Sequence, residues 1–201
     1  MKRLNAVRLA VAACALLYFS GTARAGDVVA DYTTIPDGQA PSFMLAGTTV
    51  TASAAVTSGT VAGNRGLGVL GGTFPPNSNF SLDEGETLTI DYGQLVTDVT
   101  LRLVDIESAG NVTYAFEAFD GAMSLGVFPV PLHQTEIETK DITALAGGES
   151  FNRITLEPTQ SAPAGLQIQQ TTYTPIPEPS SLMAVGWACL TCLAFRRNRC
   201  A

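Results

Sequence analysis

The chain has 201 residues, of which 46% are hydrophobic and 14% charged, and a formal charge of −7. That length suits a single domain with its own core. The acidic balance excludes the basic surface that nucleic acid or an anionic membrane would attract. At the N-terminus, Lys2, Arg3 and Arg8 precede an apolar stretch, residues 9–19. Ala23-Arg24-Ala25 then forms a small-x-small cleavage site for signal peptidase ahead of Gly26. These three parts make a secretory signal peptide over residues 1–25. The stretch is too short for a comfortable membrane span, which needs about 20 apolar residues. Val11-Ala12-Ala13-Cys14 fits a loose lipobox, but with Arg8 so close it has almost no apolar core ahead of Cys14. Cleavage after Ala25 is therefore expected.

Residues 26–174 are expected to form the exported domain. It holds four cations (Arg65, Arg102, Lys140 and Arg153) against seventeen carboxylates, a net of −13. Its surface therefore suits solvent or cations. All the cysteines fall at the ends (Cys14, Cys189, Cys192 and Cys200), so the domain must be held by its core, not by disulfides. Period-2 alternation with β-branched and aromatic residues predicts strands over 28–32, 48–56, 87–92, 96–105, 111–119, 123–127, 135–139, 153–157 and 166–172. In Val99-Thr100-Leu101-Arg102-Leu103 the apolar residues share one face. They do so again from Val112 to Ala118. Asp120-Gly121 suits a tight hairpin turn. One short helical turn is expected over 142–146, capped by Asp141 and stopped by Gly147-Gly148. Short strands punctuated by turns imply an all-β, antiparallel β-sandwich.

Catalytic chemistry has little to work with. The one histidine, His133, sits between Leu132 and Gln134 and is expected in a loop or at a strand edge. A Ser-His-Asp triad needs a positioned serine, and Ser81, Ser124 and Ser150 lie in no nucleophile motif. Zinc would have one histidine and no cysteine to bind it. Carboxylates are plentiful, but glycosidase chemistry needs two of them at a set separation in a cleft. The domain has no tryptophan to stack a sugar. No enzyme and no required cofactor are expected. The metal candidate is Ca²⁺ at Asp83, Glu84 and Glu86, because hard carboxylate oxygens suit it. A solvated acidic turn guarding a sheet edge is the plainer expectation there. Asp105, Glu107 and Asp120 are expected to form a second acidic edge group. Asn79-Phe80-Ser81 and Asn111-Val112-Thr113 match a short glycosylation pattern that is close to chance.

The C-terminal segment, residues 175–201, holds the clearest motif. Pro177-Glu178-Pro179 and Ser180-Ser181 are followed by an apolar stretch, residues 182–195, and then by Arg196, Arg197 and Arg199. As a helix the stretch covers roughly 21 Å, short of a hydrocarbon core of about 30 Å. A transient anchor suits it better than a permanent one. Cys189-x-x-Cys192 lies inside the apolar stretch and would leave with it. By the positive-inside rule the three arginines stay cytoplasmic, so everything before Pro177 is exported.

This order, spacing and position resemble the PEP-CTERM sorting signal, over about the last 25 residues. The resemblance implies recognition by exosortase, a membrane-embedded protease that cuts near Pro177, Glu178 and Pro179 and removes the transmembrane helix. It also implies an exported bacterial protein of the cell surface, extracellular matrix or biofilm. The partners implied are exosortase, signal peptidase, exopolysaccharide and, transiently, the inner membrane. Gly66-Leu67-Gly68-Val69, followed by the acidic turn and strand from Leu82 to Ile90, is similar to a pattern frequent in PEP-CTERM ectodomains. So is Phe151-Asn152-Arg153-Ile154-Thr155-Leu156. These matches imply a jelly-roll-like or Ig-like sandwich, flanked by the signal-peptide helix and the C-terminal transmembrane helix. They imply no activity. The role expected is structural or interactive. A glycan-binding or calcium-binding module is the alternative, and a secreted hydrolase is a weaker one.

Overall fold

Ten antiparallel strands pair into one sheet that closes on itself in the computed structural model. The structure describes residues 25–71, 81–83, 85–106, 112–133, 136–158 and 165–177. The strands are β1 (Val28–Asp31), β2 (Gly38–Leu45), β3 (Thr48–Val61), β4 (Asn64–Val69), β5 (Leu88–Asp105), β6 (Val112–Asp120), β7 (Met123–Leu132), β8 (Ile137–Asp141), β9 (Phe151–Pro158) and β10 (Leu166–Pro175). One helical turn, α1 (Ile142–Leu145), follows β8. By contacts the chain divides into two units, one being residues 26–175 and the other the two ends.

The sandwich expected from the sequence is built differently. β10 pairs with β4, β4 with β3, β3 with β5, and β5 with β10 again, which closes a small barrel. β9, β6 and β7 continue outward from β5, while β1, β2 and β8 add to β10, β3 and β5. The reason lies in β5. The sequence predicted two strands there, 87–92 and 96–105, and the chain makes one. Its first part, Leu88 to Asp91, pairs with β3 and β9. Its second part, Val96 to Asp105, pairs with β10. Between them Gly93 takes φ +68 and its N–H donates to Asp91 Oδ1 at 2.7 Å. A bend of this kind lets one strand serve two layers.

Alternation places the core. Along β6, Val112, Tyr114, Phe116 and Ala118 are buried while the residues between them are partly open, as the pattern predicts. Leu88, Ile90, Leu101, Leu103, Ile154, Leu156 and Phe151 fill the interior with zero exposure. β7 runs past its predicted end at Val127 to Leu132, with Pro129 and Pro131 inside it. Among the described residues it pairs only with β6, and an edge strand tolerates proline because one side needs no N–H. β2 and β4 were absent from the predicted strands. β2 carries Pro41 at a register shift, and β4 carries Gly66 and Gly68. Both compositions look like loop.

Two turns carry a residue that fits poorly. Ala46-Gly47 and Ala62-Gly63 both take positive φ at both positions, the twist that a two-residue hairpin wants. Alanine pays a steric cost in that region, which asparagine tolerates better. Ala62→Asn is expected to add about 0.5 kcal/mol of stability, read as a raised urea midpoint with an unchanged slope.

Tyrosines knit the interior together. Tyr92 stacks edge-on against Tyr173 at 4.9 Å and against Phe151 at 6.2 Å. Its hydroxyl shares a 3.1 Å hydrogen bond with Thr171. Tyr32 shares one of 3.0 Å with Thr48, whose own hydroxyl donates to Leu45 O, so Tyr32 is the donor. Burial pushes both phenols well above their usual range, with the hydrogen bond to Thr48 or Thr171 only partly offsetting it. A raised folded-state value stabilises the fold below the unfolded pKa of about 10 and is lost as pH climbs past it. Burial raises the Tyr173 phenol as well, and urea melts are expected to lose about 1.4 kcal/mol per pH unit above pH 10 for each such tyrosine that the unfolded chain ionises. A flat profile from pH 9 to 11 would contradict their burial.

Candidate functional site

The two ends of the described domain leave it side by side. β1 and β10 are antiparallel, with Val28 opposite Tyr173 and Asp31 opposite Gln170. Just outside that register, Thr174 Oγ1 donates to Asp27 Oδ1 at 2.7 Å. Tyr173 Oη donates to the Ala46 carbonyl at 2.5 Å, anchoring the last strand to the β2–β3 turn. β10 itself is internal, with β1 and β4 on one flank and β5 on the other. Its final residue, Pro175, sits opposite Val96. Pro177 therefore stands just beyond the last paired residue. Ala25 is the first described residue and is half-buried. Ala23, Glu178, Pro179, Arg196, Arg197 and Arg199 lie outside the described residues.

The acidic turn before β5 is organised inward. Asp83 is fully buried and Glu86 nearly so. Ser81 Oγ donates to Asp83 Oδ1 at 3.1 Å. The Asp83 N–H donates to Glu86 Oε2 at 2.9 Å, and the Glu86 N–H returns to the Asp83 carbonyl at 3.1 Å. The Glu86 side chain thus reaches back as in one half of a capping box, while the backbone bond between the two residues closes the turn. The spacing Asp-x-x-Glu is the signal that could have revealed it. Burial raises the Glu86 pKa, and the hydrogen bond from the Asp83 backbone opposes that only in part. Glu84 lies outside the described residues. Among the described residues, no three His, Cys, Asp or Glu side chains are placed to hold a metal ion.

The second acidic group does not assemble. Asp105 ends β5 and is buried opposite Leu166. Asp120 ends β6, at the hairpin with Met123. Asp120 thus lies at the end of β6 away from Val112, where the chain arrives from β5. Glu107 lies outside the described residues. The hairpin forms one residue on from the predicted pair: Asp120 is paired with Met123, and Gly121, at φ +59, and Ala122 make the turn.

His133 follows β7 directly and is exposed. Its N–H donates to Glu138 Oε1 at 2.6 Å, and its Nδ1 lies 3.2 Å from the same oxygen. Lys140 Nζ donates to Glu138 Oε2 at 2.6 Å. Partial burial raises the Glu138 pKa, but the bonds from Lys140 and His133 outweigh it and hold the carboxyl below its usual range. The cluster ties the β7–β8 connection to β8. It offers no nucleophile. Asp141 caps α1 as the sequence predicted, accepting from Ala144 N at 2.9 Å. Gly148 N then closes the turn on Thr143 O at 2.8 Å.

No family model matches the chain, and no curated protein does. Its functional reading therefore rests on its own residues. One contribution that pattern reading missed is Arg65. From β4 it donates to Ile35 O at 2.6 Å and pairs with Asp37 at 2.8 Å. It pins the β1–β2 connection to the barrel.

Proposed function

We propose that this chain is an exported protein of the cell surface or extracellular matrix, held in the inner membrane by its C-terminal segment until exosortase cuts near Pro177-Glu178-Pro179. The observation that carries the reading is the order of Pro177-Glu178-Pro179, the apolar stretch 182–195 and Arg196, Arg197 and Arg199. The geometry supports it in one respect. Pro175 ends β10 opposite Val96, so a cut at Pro177 or beyond spares every paired residue of the domain. What is delivered is an acidic barrel without cysteine, whose role is structural or interactive and not enzymatic. Exopolysaccharide is the partner that the sorting resemblance suggests.

We also read the fold as a variant of the jelly-roll-like or Ig-like sandwich, in which β5 bends at Gly93 and passes from one layer to the other. The alternative function, a glycan- or calcium-binding module, has the buried pair Asp83 and Glu86 in its favour. Their hydrogen bonds to Ser81 and to the Asp83 N–H support the turn-forming role better.

Replacing Pro177, Glu178 and Pro179 together by alanine tests the sorting reading in the native host. The precursor is expected to accumulate in the inner-membrane fraction, with the extracellular form lost. Release at the normal level would contradict the role of the motif.

A further inference from the structure

The register gathers several turns at the end of the barrel from which both chain ends leave. Thr49 opposite Asp91 places the β2–β3 turn beside the bend of β5. Phe151 opposite Val96 brings the start of β9 to the same place. Phe119 opposite Arg153, together with Gly121 N donating to Asn152 Oδ1 at 3.2 Å, adds the β6–β7 turn. β8 runs from Ile137, opposite Val104, to Asp141, opposite Thr100, and hands on to α1. The Val99 N–H donates to Thr143 Oγ1 at 2.8 Å, which fixes α1 there as well. Pro175 leaves from this end, and Asp27 enters at it.

These turns carry large apolar side chains that the fold leaves open. Met44 is 79% exposed, Met123 61%, Leu95 38% and Leu145 38%. Carboxylates stand among them, but several are turned back onto the chain. Asp91 accepts from Gly93 N, Asp141 from Ala144 N, and Asp27 from Thr174 Oγ1. Asp120 and Glu149 keep the end acidic, which disfavours anionic headgroups and suits zwitterionic ones. Chain length adds a further constraint. Residues 176–181 separate Pro175 from the apolar stretch at Leu182, and even fully extended they reach roughly 25 Å.

We propose that this end is a lipid-facing surface. While the tail holds the precursor in the membrane, Met44, Leu95, Met123 and Leu145 rest on a zwitterionic bilayer, and the cut at Pro177-Glu178-Pro179 releases them. This rests on the membrane-held precursor proposed above. Exposed apolar side chains beside a short tether bind an interface by buried area, each weakly, and the tether supplies the effective concentration.

The test uses the full chain in phosphatidylcholine vesicles with brominated acyl chains, which quench tryptophan on contact. Trp187 is the only tryptophan, so the native chain reports on the tail. In a Trp187→Phe background, Met44→Trp and Met123→Trp report on the proposed surface, and Ile137→Trp reports on the far end of β8. Trp187 is expected to be quenched, with Met44→Trp and Met123→Trp quenched several-fold more than Ile137→Trp. If Trp187 is quenched while both end variants match Ile137→Trp, the lipid-facing surface is overturned and the tail reading stands. An unquenched Trp187 overturns the membrane-held precursor and the surface with it.

Discussion

Gly66→Val is expected to open the barrel, at a cost of about 3 kcal/mol. A Cβ at Gly66 would stand 2.8 Å from the Ile168 carbonyl oxygen and 3.2 Å from Gln167 Cβ. The first of these is backbone and cannot rotate away. Gly66 precedes Leu67, which pairs with Ile168 at the junction of β4 and β10. The substitution therefore strikes the contact that closes the ring. Gly66→Ala meets the same oxygen with less bulk behind it and is expected to cost about 2 kcal/mol. Gly38→Ala, where a Cβ would meet nothing within 4 Å, is the control. Urea melts of the three compare them directly. Equal midpoints for Gly66→Ala and Gly38→Ala would mean that β4 and β10 do not approach as described.

Tyr92→Ala is expected to cost about 4 kcal/mol, while Tyr92→Phe costs about 1 kcal/mol. Tyr92 sits just before the bend of β5, 1% exposed, between the rings of Phe151 and Tyr173. Alanine would leave a ring-sized cavity where β5, β9 and β10 meet. Phenylalanine keeps the packing and gives up only the bond to Thr171. The pair of variants thus separates packing from hydrogen bonding. Tyr92→Phe as damaging as Tyr92→Ala would shift the weight onto the hydroxyl. Tyr92→Phe should also lessen the alkaline loss of stability, because one buried phenol is gone while those of Tyr32 and Tyr173 remain.

Local pattern and long-range pairing account for different parts of this fold. The alternation of Val99, Leu101 and Leu103, and of Val112, Tyr114 and Phe116, marks strands because each has one buried face. The Asp141 cap and the glycine stop after α1 are local chemistry and formed where their residues predicted, while the hairpin expected at Asp120-Gly121 turns at Gly121-Ala122. β2 and β4 were hidden by Pro41, Gly66 and Gly68. A bulge tolerates the proline, and the approach of Ile168 requires the glycine at position 66. Closure through β5 and β10 joins residues such as Leu101 and Thr171, and no window of sequence holds both. That is why local pattern indicates an antiparallel β fold but not the closure of its sheet into a barrel.

The acidic turn shows the same division. Three carboxylates near a strand start look like a ligand set by composition. The Asp83 carboxylate instead accepts from the Ser81 hydroxyl, and that of Glu86 from the Asp83 N–H. The tail differs again, because its signal lies in order and spacing and needs no fold to be legible. The fold adds that β10 ends at Pro175, so the paired domain and the motif meet without overlapping.

Export and removal of the tail are tested most directly by the intact mass of the mature protein from the extracellular fraction of its host. The expected chain begins at Gly26 and ends near Pro177-Glu178-Pro179, without the apolar stretch or the arginines. A mature chain that still carries Arg196 to Ala201 would contradict it.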